Sequence, residues 1–162
     1  MADNQLVKSV AAGAAAGLAS TVAIQGLMAV SKQVAPETLP PIKQDPGEFM
    51  TEQAEKLLAP ETRKKVPEVA KKATATTLAF GYGMTAGVLY AAFRPDVSNI
   101  VIEGTALGLG TWAAGYLGWL PALDLMPPVY KQNAKQVAGP VISHIIFGIA
   151  TVGAYQWLKE KI

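Results

Sequence analysis

The charged residues of this 162-residue chain avoid four long windows, residues 9–30, 73–93, 104–123 and 136–158. A helix rises 1.5 Å per residue, so about 20 residues cross the roughly 30 Å hydrocarbon core of a bilayer, and each window is long enough to do so. Totals of 51% hydrophobic and 16% charged residues are ordinary and hide this partition. The windows predict an all-α fold: an integral membrane four-helix bundle, one membrane domain over residues 1–162, with spans at about 9–30, 73–93, 99–121 and 137–158. The first apolar run outlasts the roughly 7–15 residues of a secretory signal, and three more spans follow it, so the N-terminus is expected to be retained.

Between the first two spans lies the one long polar segment, residues 31–72, broken by prolines at 36, 40, 41, 46, 60 and 67. Asp45, Pro46 and Glu48 read as an N-cap, a first-turn proline and an acidic third position, opening a helix over about 46–59. Phe49, Met50, Ala54, Leu57 and Leu58 share one side of it, which predicts an amphipathic interfacial helix that lies on the membrane or caps the bundle. Span two stops at Arg94-Pro95-Asp96, and the short connection that follows forces spans two and three to be antiparallel neighbours. Four spans put both termini on one side with four Lys and Arg, against ten in loops 31–72 and 124–135. The positive-inside rule then places both loops in the cytoplasm and both termini in the periplasm of a bacterial inner membrane, a multi-pass arrangement.

Gly13 and Gly17, Gly83 and Gly87, and Gly104 and Gly108 are each spaced as GxxxG, with Ala114 and Gly118 continuing the third window. In lipid, helices associate by close packing, so such pairs mark contact faces within the bundle or toward a partner. A faint internal echo, TLPPIKQ at 38–44 against LMPPVYKQ at 125–132 and Phe80-Gly81 against Phe147-Gly148, points to a duplicated helix pair forming a parallel repeat.

Zero cysteines and a single histidine exclude disulfides, thiolate clusters and histidine-rich metal sites, and no catalytic motif stands in a usable context, so neither a metal site nor catalytic residues are expected and the chain does not read as an enzyme. Ionisable and polar groups inside spans are functional candidates by default. His144, Gln25 and Tyr82 come out at nearly one depth and are expected to form a polar cluster, with Ser143, Thr21 or Thr85 completing it. They either hydrogen-bond helix to helix or let His144 ligate haem or (bacterio)chlorophyll, or serve proton or quinone chemistry. Glu103 lies too far along the helix to meet His144 and is expected to snorkel or cap its span near Asn99, while Asp124 has Lys131 or Lys135 as possible partners. Eight basic and seven acidic residues nearly cancel in the 31–72 segment, which speaks against nucleic acid and for anionic membrane lipid at Arg63–Lys65 and Lys71–Lys72.

The runs GAAAGLAST, FGYGMTAGVLY, GLGTWAAGYLGWLPALDLMPP and SHIIFGIATVGAY resemble the YagU-like group of small four-span bacterial inner-membrane proteins. That resemblance implies fold and localisation but no catalytic residue. The leading expectation is a non-enzymatic accessory or scaffold subunit packing on other membrane-protein subunits of a larger complex, respiratory or photosynthetic. The alternatives are a small homo-oligomeric transporter or channel for a neutral or weakly polar solute, and a pigment- or haem-binding protein using His144.

Overall fold

The computed structural model describes residues 2–94 and 96–161, and every regular element among them is helical. Helix α1, Ala2–Val34, ends where Pro36 forces Ala35 out of helical geometry (φ −148°, ψ 57°), and a 3₁₀ turn, Pro36–Thr38, follows. Helix α2, Pro46–Lys56, opens as expected, with the Asp45 carboxylate accepting from the Gly47 and Glu48 amides. It stops short of 59 because Pro60 holds Ala59 extended (ψ 142°) and starts the short α3, Pro60–Arg63. Helix α4, Glu68–Phe93, begins directly after Pro67; Pro95, expected to end span two, lies outside the described residues. Helix α5, Ile100–Trp112, is capped by Asn99, then widens into a π-helical segment, Ala113–Trp119, that feeds α6, Leu120–Ala122. Pro121 has no N–H for the Leu117 carbonyl, and Gly118 leaves helical geometry beside it (φ −99°, ψ −107°), which accounts for the widened turn. Helix α7, Ala134–Lys159, starts on an Asn133/Gln136 capping box and carries Pro140 in its second turn.

Two helices, α1 over Asn4–Val34 and α7, are long and apolar enough to cross a membrane. Helix α4 dilutes its apolar residues with threonine, glycine and tyrosine, and α5 is cut to 13 residues by the π segment.

Glycines decide how these helices meet. Helices α1 and α4 run antiparallel so closely that a Cβ on Gly13 would strike the Gly87 carbonyl, one on Gly17 the Gly83 carbonyl, and one on Gly83 the Thr21 hydroxyl. Helices α5 and α7 repeat the arrangement: Gly104 lies against the backbone of Gly148 and Ile149, and Gly108 against the carbonyl of His144. Helix α1 also packs on α7 and joins the two pairs, whereas α4 and α5 barely touch. In this register Gly104 and Gly108 stand where Gly13 and Gly17 do, and His144 and Gly148 where Gly83 and Gly87 do. The Phe-Gly echo falls outside it, since Gly148 is packed while Gly81 faces open space.

One apolar core, Ala12, Ala16, Tyr90, Ala91, Val152 and Tyr155, lies toward the termini; a second, Tyr116, Leu120, Leu125 and Met126, lies toward the loops and receives Phe49 of α2. The expected apolar side of α2 is thus divided, with Phe49 packed but Met50, Leu57 and Leu58 exposed. The reason is Gly47, which lets the α2 backbone ride directly on Ala75, while Lys71 reaches Glu55 at 3.5 Å and ties α2 to α4. The turn after α6 is a Schellman cap: Leu125 N–H bonds the Leu120 carbonyl, Asp124 N–H bonds the Pro121 carbonyl, and Asp124 adopts φ 56°. It aims Asp124 at Lys43 (2.5 Å) and not at Lys131 or Lys135, and Lys135 pairs with Glu37 at 3.4 Å. Lys43 N–H also donates to the Leu125 carbonyl at 2.8 Å, so the loops carrying PPIKQ and PPVYKQ are joined.

If these contacts hold the helices, Gly17→Val forces α1 from α4 and costs about 1–3 kcal/mol, while Gly81→Ala, with open space around it, is neutral or stabilising by up to about 1 kcal/mol. Thermal unfolding of both variants in one detergent checks the contrast.

Candidate functional site

The helices are locked together at the terminal end and part toward the loops. The lock is Glu103, only 9% exposed. Its carboxylate accepts from the Tyr90 hydroxyl (2.6 Å), the Ser98 amide and hydroxyl (both 2.7 Å) and the Asn99 amide (3.4 Å), and Arg94 approaches at 3.4 Å. Glu103 therefore caps the start of α5 near Asn99 and also draws in the end of α4, a partnership with Tyr90 and Arg94 that spacing alone did not reveal. The Tyr90 ring stands edge-on to Tyr155, with centroids 5.6 Å apart, which carries the lock to α7.

Toward the loops a cavity of about 480 Å³ opens between α1, α4, α5 and α7. Its mouth is at Thr38, Leu39, Pro40 and Lys135, and its floor at Thr21, Gly83 and Phe147. Lys135 and Phe147 are three helical turns apart, which makes the cavity about 18 Å deep. Glu37 sits at this mouth; its own backbone amide and Lys135 hold its carboxyl below the usual carboxylate range.

The structure places Gln25, Tyr82, Ser143, His144 and Thr21 all on this cavity, with Thr111 and Tyr116 beside them. Thr85 is not among its lining residues; it bonds the Gly81 carbonyl of its own helix at 2.8 Å. His144 is fixed twice: its Nδ1 lies 2.8 Å from the Pro140 carbonyl, and its ring meets Tyr116 edge to face at 5.4 Å. A carbonyl can only accept, so Nδ1 carries the proton and Nε2 of the neutral ring keeps a lone pair. The Tyr82 hydroxyl spans α4 to α5 by donating to the Thr111 carbonyl at 3.3 Å. Tyr116, the residue that braces His144, was not legible in the sequence, because only the π-helical turn rotates it onto α7; Pro121 inside span three was the available signal.

The lone pair of Nε2 can take one hydrogen-bond donor or supply one axial ligand to a porphyrin or chlorin metal. Among the described residues no three histidine, aspartate or glutamate side chains gather to hold a metal ion by themselves. Compared with protein-family models, curated proteins and solved structures, the chain matches none of them significantly.

Removing the hub carboxylate leaves Tyr90, Arg94 and the Ser98 amide without their acceptor. Glu103→Ala is expected to destabilise by about 3 kcal/mol, and Tyr90→Phe, which removes one hydrogen bond, by about 1 kcal/mol. Equal midpoints for wild type and Glu103→Ala in denaturant titrations would show that the hub holds nothing.

Proposed function

We propose that the chain is a four-span bacterial inner-membrane protein of YagU-like type, a carrier that receives one small neutral molecule in the cavity between its own spans. The spans are α1, α4, the α5–α6 run and α7, the termini are periplasmic and loops 31–72 and 124–135 cytoplasmic. Exposed apolar residues on all four rods support this: Leu18 and Val22, Leu78 and Leu89, Ile102 and Leu109, and Trp157. A water-soluble protein rarely leaves so much apolar surface uncovered, and lipid covers it without cost.

The observation that carries the carrier reading is the cavity itself, apolar in its walls, with polar side chains of four helices converging at mid-depth. Its volume is within the range of about 300–1,000 Å³ usual for small-molecule sites. Its lining ends at Thr21, Gly83 and Phe147, short of the Glu103 hub, and the register repeat between the two helix pairs is the kind of symmetry on which alternating access is built. The accessory-subunit reading draws on the same exposed apolar faces, but the paired glycines that motivated it are spent inside the fold.

The natural chain has no cysteine, so an introduced one is unique. In inside-out vesicles, Ser143→Cys on the cavity wall is expected to react with a membrane-impermeant maleimide, whereas Leu89→Cys on the outer face and Ala16→Cys in the core are not. Labelling of Ser143→Cys no faster than of Leu89→Cys contradicts a water-accessible cavity.

A further inference from the structure

The hydrogen-bond inventory of the cavity wall decides what kind of molecule fits. Hydroxyl groups can normally donate or accept, but most of those here have already given their protons to backbone carbonyls. Thr21 donates to the Gly17 carbonyl at 2.7 Å, Tyr82 to the Thr111 carbonyl at 3.3 Å, and Thr111 to the Leu107 and Gly108 carbonyls at 3.0 and 2.9 Å. Each leaves an oxygen whose remaining capacity is to accept, and that of Tyr82 already accepts from Trp119. His144 behaves alike: Nδ1–H is committed to Pro140, and Nε2 can only accept while the ring is neutral.

Three polar groups from α1, α5 and α7, Thr21, Thr111 and His144, therefore offer lone pairs to one cavity. Ser143 and Tyr116 can turn either way, Gln25 is on the exposed flank, and the Lys135 ammonium at the mouth faces Glu37. An acceptor-rich wall repels groups that can only accept, such as ethers, ketones and carboxylates, because their lone pairs would stay unpaired in an apolar space.

We infer that the cavity selects a neutral, mainly apolar molecule bearing a hydroxyl donor, with His144 Nε2 as its principal acceptor and the edge-on Tyr116 ring beside it. This names the ligand class of the proposed carrier and rests on that reading. An alcohol or phenol with a hydrocarbon body meets the requirement: the hydroxyl proton goes to Nε2, and its oxygen remains free to accept from Ser143 or Tyr116. The body then lies along Ile24, Met28 and Phe147. No bond is made or broken, so binding is reversible.

Protection of Ser143→Cys from maleimide in nanodiscs provides the test, at pH 8, where an ordinary imidazole is neutral. The probes are 4-hexylphenol and its methyl ether, 4-hexylanisole, which match in body and differ in the donor. The phenol is expected to protect at about tenfold lower concentration than the ether, the discrimination typical of one lost partner to a buried acceptor. Adding His144→Phe, which keeps an aromatic ring and removes the acceptor, is expected to bring the two probes within about threefold. Equal protection by both probes overturns the inference while leaving the cavity as a binding site. Protection by neither overturns the carrier reading together with it. A phenol preference that survives His144→Phe removes His144 from the role assigned here.

Discussion

Backbone-to-backbone contact at glycine is the interaction on which the rest of this fold depends. Where two helices meet through Gly13 and Gly87 or Gly108 and the His144 carbonyl, there is no room for a methyl group, and the axes come closer than side-chain packing allows. Inside a bilayer this matters more than in water, because lipid is as apolar as leucine and burial gives no net drive for helices to associate. The glycines supply contact area in its place. They do so pairwise, α1 with α4 and α5 with α7, and the weak contact between α4 and α5 is what remains when each helix has already used its tight face.

The cavity follows from that pairing. Two hairpins held tightly within themselves and joined chiefly through α1 and α7 leave space wherever nothing bridges α4 to α5. At the terminal end Glu103 bridges them, with Tyr90 and Arg94 on one side and Ser98 on the other. Toward the loops Tyr82 links α4 to the α5–α6 run, donating to the Thr111 carbonyl at 3.3 Å and accepting from Trp119, and the cavity opens beside it. Pro140 and the π-helical turn add the finish: one presents a carbonyl that fixes the imidazole proton, and the other swings Tyr116 against the ring.

Much of this could be read from the chain. Charge-free windows place α1, α4 and α7 to within about seven residues at either end, Asp45-Pro46 and Asn99 mark helix starts, and the three GxxxG pairs mark packed faces while Ala114 and Gly118 do not, because each depends on local spacing. Depth counting alone put His144, Gln25 and Tyr82 at one level, and the structure sets all three on one cavity. What escaped depends on contacts distant in sequence. Asp124 turns to Lys43, 81 residues away, because a left-handed residue redirects the chain. The apolar side of α2 is divided because a single glycine, Gly47, outweighs Met50, Leu57 and Leu58 in choosing the packed face. Tyr116 was invisible because the ordinary helical period fails across a π turn, and its brace on His144 belongs to that failure.

The central claim is that α4 and the α5–α6 run cross the bilayer beside the more apolar α1 and α7, and one measurement addresses it directly. Nitroxide labels at single cysteines replacing Leu89 and Leu109, both on outer faces, report collision with oxygen, which concentrates in lipid, and with a water-soluble nickel chelate. The account predicts that both sites in reconstituted bilayers collide readily with oxygen and hardly with nickel, matching labels at Leu18 and Val22. Ready access of nickel to Leu89 or Leu109 would place those helices in water and contradict a four-span protein.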